Sequence, residues 1–270
     1  MNLPFDEDYL REMELWPLFD LRRQSAMAAA AGRAEASAPS VEIEISRKSA
    51  VSRPDARPPP QRAAVQAGTP IPAAPDPIRV ARIAQLDWDS LKREAASCQS
   101  CLLCKQRKQA VLGVGAPGAS WLFVGEGPGV EEDELGEPFV GQAGKLLDAM
   151  LTAAGLQRGR EVYIANVEKC RPPGNRNPSA DEVQACAPLL DRQIDLIKPK
   201  IIVALGKVAL ARLTGSEASM ASMRSKLHEY RGIPVVATYH PAYLLRNLPD
   251  KLKAWEDLMF AKRAFVANAG

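Results

Sequence analysis

Five cysteines, two histidines and a dense run of carboxylates hold most of the reactive chemistry in this 270-residue sequence. Cys98, Cys101 and Cys104 fall in CQSCLLC, two C-x-x-C steps in succession, and Cys170 and Cys186 follow far downstream. A single cysteine is most often a buried apolar filler. Two such steps joined to two distant thiols have instead the spacing of ligands around a metal centre. Thiolates without a supporting histidine suit zinc or an iron–sulfur cluster, and spacing does not choose between them. An odd number of cysteines in a reducing compartment also argues against a disulfide framework.

Three further segments concentrate glycines, carboxylates, amides and one imidazole: GEGPGVEEDELGEPFVG (125–141), NVEKCRPPGNRNP (166–178) and YHPAYLLR (239–246). A nucleotide cofactor is the first use to test for such glycine-rich stretches. GVGAPG (113–118) matches G-x-G-x-x-G literally, but it precedes an apolar run instead of following one, so the dinucleotide context fails. A phosphate loop fails too, because the pair Gly136 and Gly141 is followed by Gln142 rather than lysine. Glu131, Glu132 and Asp133 stand where a helix would start and complement its dipole, which makes Glu132 a weaker catalytic candidate than Glu126. His228, in KLHEYRG, has no motif around it and reads as a surface residue.

Short, nearly continuous apolar runs precede these segments: Trp121–Val124, Val162–Ala165, Ile201–Leu205 (ahead of Gly206-Lys207) and Ile233–Thr238. Such runs are expected of strands in a parallel sheet covered on both faces. Between them, Ala143, Leu146, Leu147, Met150, Leu151 and Ala154 recur at helical spacing, with Gly155 as a stop. Ser179 and Glu182 are spaced as a capping box for a second helix burying Val183, Cys186, Ala187, Leu190, Ile194 and Ile197, which Pro199 ends. Further helices are expected at about 206–214 and 250–267. The alternation predicts an α/β fold, a doubly wound four-stranded parallel sheet with helices on both faces and right-handed crossovers. Ligands in such sheets bind beyond the carboxyl ends of the strands, where all of these segments would meet.

That pattern occupies residues 81–270. Residues 26–80 are rich in Ala and Pro (RPDARPPPQR, IPAAPDPIR), too poor in apolar bulk to offset ordering entropy, and read as a disordered linker. Residues 1–25 form a short helix-prone segment with Leu10, Met13, Leu15, Trp16 and Leu18. The beginning is too acidic for a signal peptide, and no stretch approaches the roughly 20 apolar residues of a membrane span. A cytoplasmic, monomeric protein is expected. A net charge of +3 does not by itself announce nucleic-acid binding. Locally the balance is more basic, with Lys105, Arg107 and Lys108 after the cysteine motif and Lys169, Arg171 and Arg176 around Cys170.

Together, CQSC, GEGPGVEEDELGEPFVGQAGKLL, NVEKCRPPGNRNP, Cys186 and HPAYLLR resemble the family 4 uracil-DNA glycosylases, which carry a [4Fe–4S] cluster; the likeness spans roughly residues 90–265. It implies a uracil-DNA glycosylase-like fold and a monofunctional hydrolase of base-excision repair. The reaction breaks the N-glycosidic bond of flipped-out deoxyuridine and leaves an abasic site. The resemblance gives Cys98, Cys101, Cys170 and Cys186 as cluster ligands, with Cys104 the extra thiol. It has Glu126 orienting the attacking water and favouring the cationic sugar, and Gly127 offering backbone close to uracil. Phe139 would stack on the base, Asn166 read its Watson–Crick edge, and His240 donate to the carbonyl oxygen where negative charge collects. Leu244, Leu245 and Arg246 would form the wedge and phosphate contact that keep the nucleotide extruded. Lys169, Arg171 and Arg176 would add DNA contacts. The implied partner is uracil-containing DNA, single- or double-stranded, with the N-terminal extension reaching a replication or repair protein. Two alternatives stand beside this reading: a uracil-DNA trapping protein without turnover, and an iron–sulfur redox protein. The former would carry a different glycine motif and an inserted basic loop, and the latter has no need of Glu126, Phe139, Asn166 and His240 at strand ends.

Overall fold

The computed structural model describes residues 76–268. The expectations for residues 1–25 and for nearly all of 26–80 lie outside that range. The folded domain begins ahead of the expected boundary at 81. Asp76 accepts a hydrogen bond from the Ile78 N–H at 3.0 Å and caps helix α1 (Pro77–Ile83). An Asp-Pro pair inside a proline-rich stretch looks like linker, but it is also the natural start of a helix, because proline at the first position gives up an N–H that would be unpaired there. Asp87 caps α2 (Trp88–Ser97) in the same way through the Ser90 N–H.

The sheet strands are β1 (Trp121–Gly125), β2 (Val162–Asn166), β3 (Ile201–Leu205), β4 (Leu227–Tyr230) and β5 (Ile233–Thr238), in the order β2-β1-β3-β5-β4. Every residue of β1, β2 and β3 is buried, which is why these strands read as unbroken apolar runs rather than alternating ones. β1 pairs in parallel with β2 and β3, and β3 with β5, so that Gly125 lies opposite Asn166 and Leu205 opposite Thr238 at one edge. The expected four-stranded parallel sheet thus gains a fifth, antiparallel edge strand, β4. It is half exposed, with the mixed sequence LHEY, and it turns back through Arg231 and Gly232, both at positive φ (52° and 82°). Two such residues make the tight hairpin turn whose twist suits paired strands. His228 lies on this strand, with a ring nitrogen 2.8 Å from the Met223 carbonyl oxygen.

Between the strands run α3 (Val130–Leu135), α4 (Gln142–Ala153), α5 (Ala180–Ile197), α6 (Lys207–Thr214) and α7 (Met220–Met223), and after β5 come α8 (Pro241–Leu244) and α9 (Lys251–Ala267). The Ser179–Glu182 capping box opens α5 as expected, and Lys198 at φ 52° closes it ahead of Pro199. On one face of the sheet, Leu122, Val124, Ile202, Ala204 and Val235 pack with Leu190, Ile194 and Ile197 of α5 and with Leu210 and Leu213 of α6. Alternation along β1 turns Trp121 to the opposite face, where it stacks on Phe265 of α9 with ring centroids 4.8 Å apart. Each large side chain buried this way contributes about 1.5–3 kcal/mol. The sheet is a rigid base, and its carboxyl edge presents the loops that follow β1, β2, β3 and β5.

A candidate active site at the carboxyl edge of the sheet

Glu126 directly follows β1, Asn166 is the last residue of β2, and His240 lies two residues beyond β5 as the cap of α8. All three line one cavity of about 390 Å³, together with Gly127, Phe139 and Arg246. The carboxylate, amide and imidazole expected from the sequence therefore share one space. Gly125 permits the closest approach within it: a Cβ there would stand 2.4 Å from Asn166 Oδ1 and 2.6 Å from Phe139 Cζ. Without a side chain at 125, the amide and the ring meet over bare backbone.

Phe139 holds a left-handed backbone, φ 56°, which costs a non-glycine residue energy unless its surroundings enforce it. Arg158 enforces it from one side, donating from Nη1 to the Pro138 carbonyl (2.8 Å), from Nη2 to that of Phe139 (2.9 Å) and from Nε to Asp148 (2.8 Å). Glu132 enforces it from the other, its carboxylate accepting from the Val140, Gly141 and Gly129 N–H groups at 3.0, 3.1 and 3.0 Å. Glu132 is thus a loop organiser, in keeping with its lower rank as a catalytic candidate. Gly144 of α4 completes the enclosure, since a Cβ there would fall 1.8 Å from the Phe139 carbonyl oxygen. Gly144→Ala is expected to overpack this point and destabilise the domain by about 1–3 kcal/mol. A lowered urea midpoint checks this, and an unchanged one would mean that the Phe139 loop yields freely.

The Phe139 ring lies 5.4 Å from the half-buried His240 ring, centroid to centroid. His240 Nδ1 accepts the Ala242 N–H at 3.2 Å. Burial, with a smaller push from Arg246, lowers the imidazole to about 4. At neutral pH the ring is therefore uncharged with its proton on Nε2, a donor for the cavity. Burial raises the Glu126 carboxyl above its ordinary value. Asn166 is 1% exposed, and its Oδ1 has no hydrogen-bond partner among the described residues. A buried amide left unpaired is expensive unless something else comes to meet it.

The five thiols border a second, smaller cavity with Arg107 and Lys169. Arg107 Nη1 donates to Cys170 Sγ at 2.9 Å, and Arg79 Nη2 to Cys98 Sγ at 3.4 Å. Among the described residues, no group of three or more His, Cys, Asp or Glu is arranged to hold a single metal ion. Glu168, to which the sequence motifs assign no role, is fully buried, and neither of its carboxylate oxygens is paired among the described residues. Burial, then the nearby charge of Glu182, pushes it up to about 8 against the opposing pull of Arg176. Its one signal in the sequence is a carboxylate adjoining a buried strand end.

Two of the expected DNA contacts, Lys169 and Leu244, are buried in the structure, and Arg107 of the basic stretch is turned inward as well. Lys169 is 1% exposed and donates to the Asn166 carbonyl oxygen, so it cannot meet a phosphate. Arg107 is occupied by Cys170 and by the carbonyls of Ala96 and Cys98. Leu244 is wholly buried, whereas its neighbour Leu245 is 42% exposed; a one-residue step on α8 reverses which leucine faces outward. Arg246 is exposed at the cavity rim. Arg176, also at the rim, is engaged by both oxygens of Glu182, and Arg171 donates to Asn175 Oδ1.

The family model of the uracil DNA glycosylase superfamily matches residues 112–259, which span the sheet and the residues of this pocket. The type-4 uracil-DNA glycosylase of Sulfurisphaera tokodaii is 46% identical over 178 residues, covering 63% of this chain and 80% of that one. That of Thermotoga maritima is 44% identical over 64% of this chain and 91% of its own length. A type-5 uracil-DNA glycosylase of Pyrobaculum aerophilum shares 33% identity over 41% of this chain and 49% of its own. The chain belongs to the type-4 uracil-DNA glycosylases. No helix among the described residues is long and apolar enough to cross a membrane.

Proposed function

We propose that the chain hydrolyses the N-glycosidic bond of a flipped-out deoxyuridine in DNA, releasing uracil and leaving an abasic site. The observation that carries this reading is the shared cavity of Glu126, Phe139, Asn166 and His240, in which a buried amide lacks a partner and a neutral imidazole keeps a free N–H. As the bond breaks, negative charge gathers on the base and positive charge on the sugar. Asn166 both donates to and accepts from the uracil edge, which satisfies its unpaired Oδ1. Phe139 stacks on the base, and Gly127 leaves the backbone bare beside it. His240 Nε2–H donates to the carbonyl oxygen that gains charge, at no cost in repelling a proton. Glu126 orients the attacking water and stabilises the cationic sugar. The cations on the cavity wall are arginines, which form no Schiff base, so water is the nucleophile and the strand is left uncut. Leu245 and Arg246, exposed beside the rim, supply the wedge and phosphate contact in place of Leu244.

Cys98, Cys101, Cys170 and Cys186 are proposed as ligands of a [4Fe–4S] cluster. The fit rests on the donor set: soft thiols around one cavity, with Arg79 and Arg107 directed at two of the sulfurs to balance anionic thiolates. When bound, the cluster would tie α2, the loop after β2 and α5 together as a structural centre. Uracil-containing DNA is the substrate, and base-excision repair the setting.

The test is incubation with an oligonucleotide carrying one uracil. Alkali-labile abasic sites with free base released over many turnovers are expected, from a yellow-brown protein with about four irons per chain. A stoichiometric covalent adduct would point to the trapping protein instead, and a colourless zinc protein would refute the cluster.

A further inference from the structure

β2 is the edge strand opposite β4, so its outward-facing carbonyls have no strand beside them. The Ile164 carbonyl accepts from the Val114 N–H at 2.9 Å. Two residues on, the Asn166 carbonyl points the same way by strand periodicity, and Lys169 Nζ donates to it at 2.6 Å. Lys169 is buried, lines the thiol cavity and gives its backbone N–H to the Cys186 sulfur. The Lys169 carbonyl in turn accepts from the Val111 N–H at 2.7 Å. One residue thus joins the sulfur-lined cavity to the strand end that carries the unpaired amide.

We propose that Lys169 is a positioning residue for uracil recognition, holding the Asn166 peptide so that its side-chain amide meets the base. It touches neither base nor sugar and acts through Asn166. The inference rests on the reading of Asn166 as the uracil-reading amide. An amine buried here is worth its desolvation only if its N–H donors are used, and the carbonyl it engages is that of the recognising residue itself.

The experiment compares full-length, iron-loaded Lys169→Met and Lys169→Gln with the parent. Five quantities are read: iron per chain, melting temperature, kcat/KM for uracil excision, inhibition by free uracil, and affinity for an abasic-site oligonucleotide. Methionine keeps the length but donates nothing; glutamine still donates. Expected for Lys169→Met is weaker inhibition by uracil and a fall in kcat/KM of up to about 100-fold, with iron content and abasic-site affinity unchanged and part of the loss recovered in Lys169→Gln. Unchanged uracil inhibition in Lys169→Met overturns the proposal. So does loss of iron and melting temperature in both variants, which would make Lys169 a structural member of the sulfur cage only. An Asn166→Ala protein that binds uracil as well as the parent sinks the site reading and this inference with it, whereas a weakened Asn166→Ala beside a normal Lys169→Met sinks the inference alone.

Discussion

Asn166→Ala is expected to lower uracil excision by about 10²–10³-fold, with the fold and the DNA affinity preserved. Asn166 sits at the last position of β2, 1% exposed, and no group among the described residues satisfies its Oδ1. Removing the amide therefore costs the domain nothing in broken internal side-chain bonds, and the loss falls on the substrate. A site built to pair with a polar edge discriminates steeply, because any other base leaves buried groups unmet. Single-turnover excision of uracil opposite guanine measures the effect. Cys104→Ala, in the thiol outside the proposed ligand set, is the matched control and is expected to leave the rate near that of the parent. If Cys104→Ala proved the more damaging change, the assignment of both sites would be wrong.

Glu126→Gln is expected to cost about 10²–10⁴-fold in the chemical step with little change in DNA binding. The carboxylate must be ionised to align water and to stabilise a cationic sugar, and burial raises its pKa. The sign follows: the active form is present above the raised value, and the rate falls as pH drops through it. His240 does not set this limb, because its imidazole stays neutral down to about 4. The rate of the parent should thus decline on the acid side at a pH above the ordinary value of a glutamate, and Glu126→Gln should flatten that limb. A parent rate flat from neutrality down to pH about 4 would remove Glu126 from the reaction.

Much of this is legible in the sequence alone. The strands β1, β2 and β3 are buried on both faces, so their apolar runs are unbroken and unmistakable. Ser179 and Glu182 cap α5 by purely local geometry, and the motifs past each strand had to meet because parallel strands end on one edge. What escaped depended on surroundings that no spacing reports. β4 is a half-exposed edge strand whose pattern carries little apolar signal. Arg107 and Lys169 look like surface cations in a basic stretch, and only the partners they find in the fold, the Cys170 sulfur and the Asn166 carbonyl, turn them inward. Leu244 and Leu245 are chemically alike, so which one faces out is decided by the angle at which the one-turn α8 docks.

Arg158 and Glu132 grip the Phe139 loop from opposite sides before any nucleic acid arrives. The aromatic seat therefore does not have to be assembled around the visiting pyrimidine, and little ordering entropy is spent on it at contact. The waiting belongs to the protein and the travelling to the nucleotide: how often a lesion is captured is then governed by how readily its own base pair breathes open.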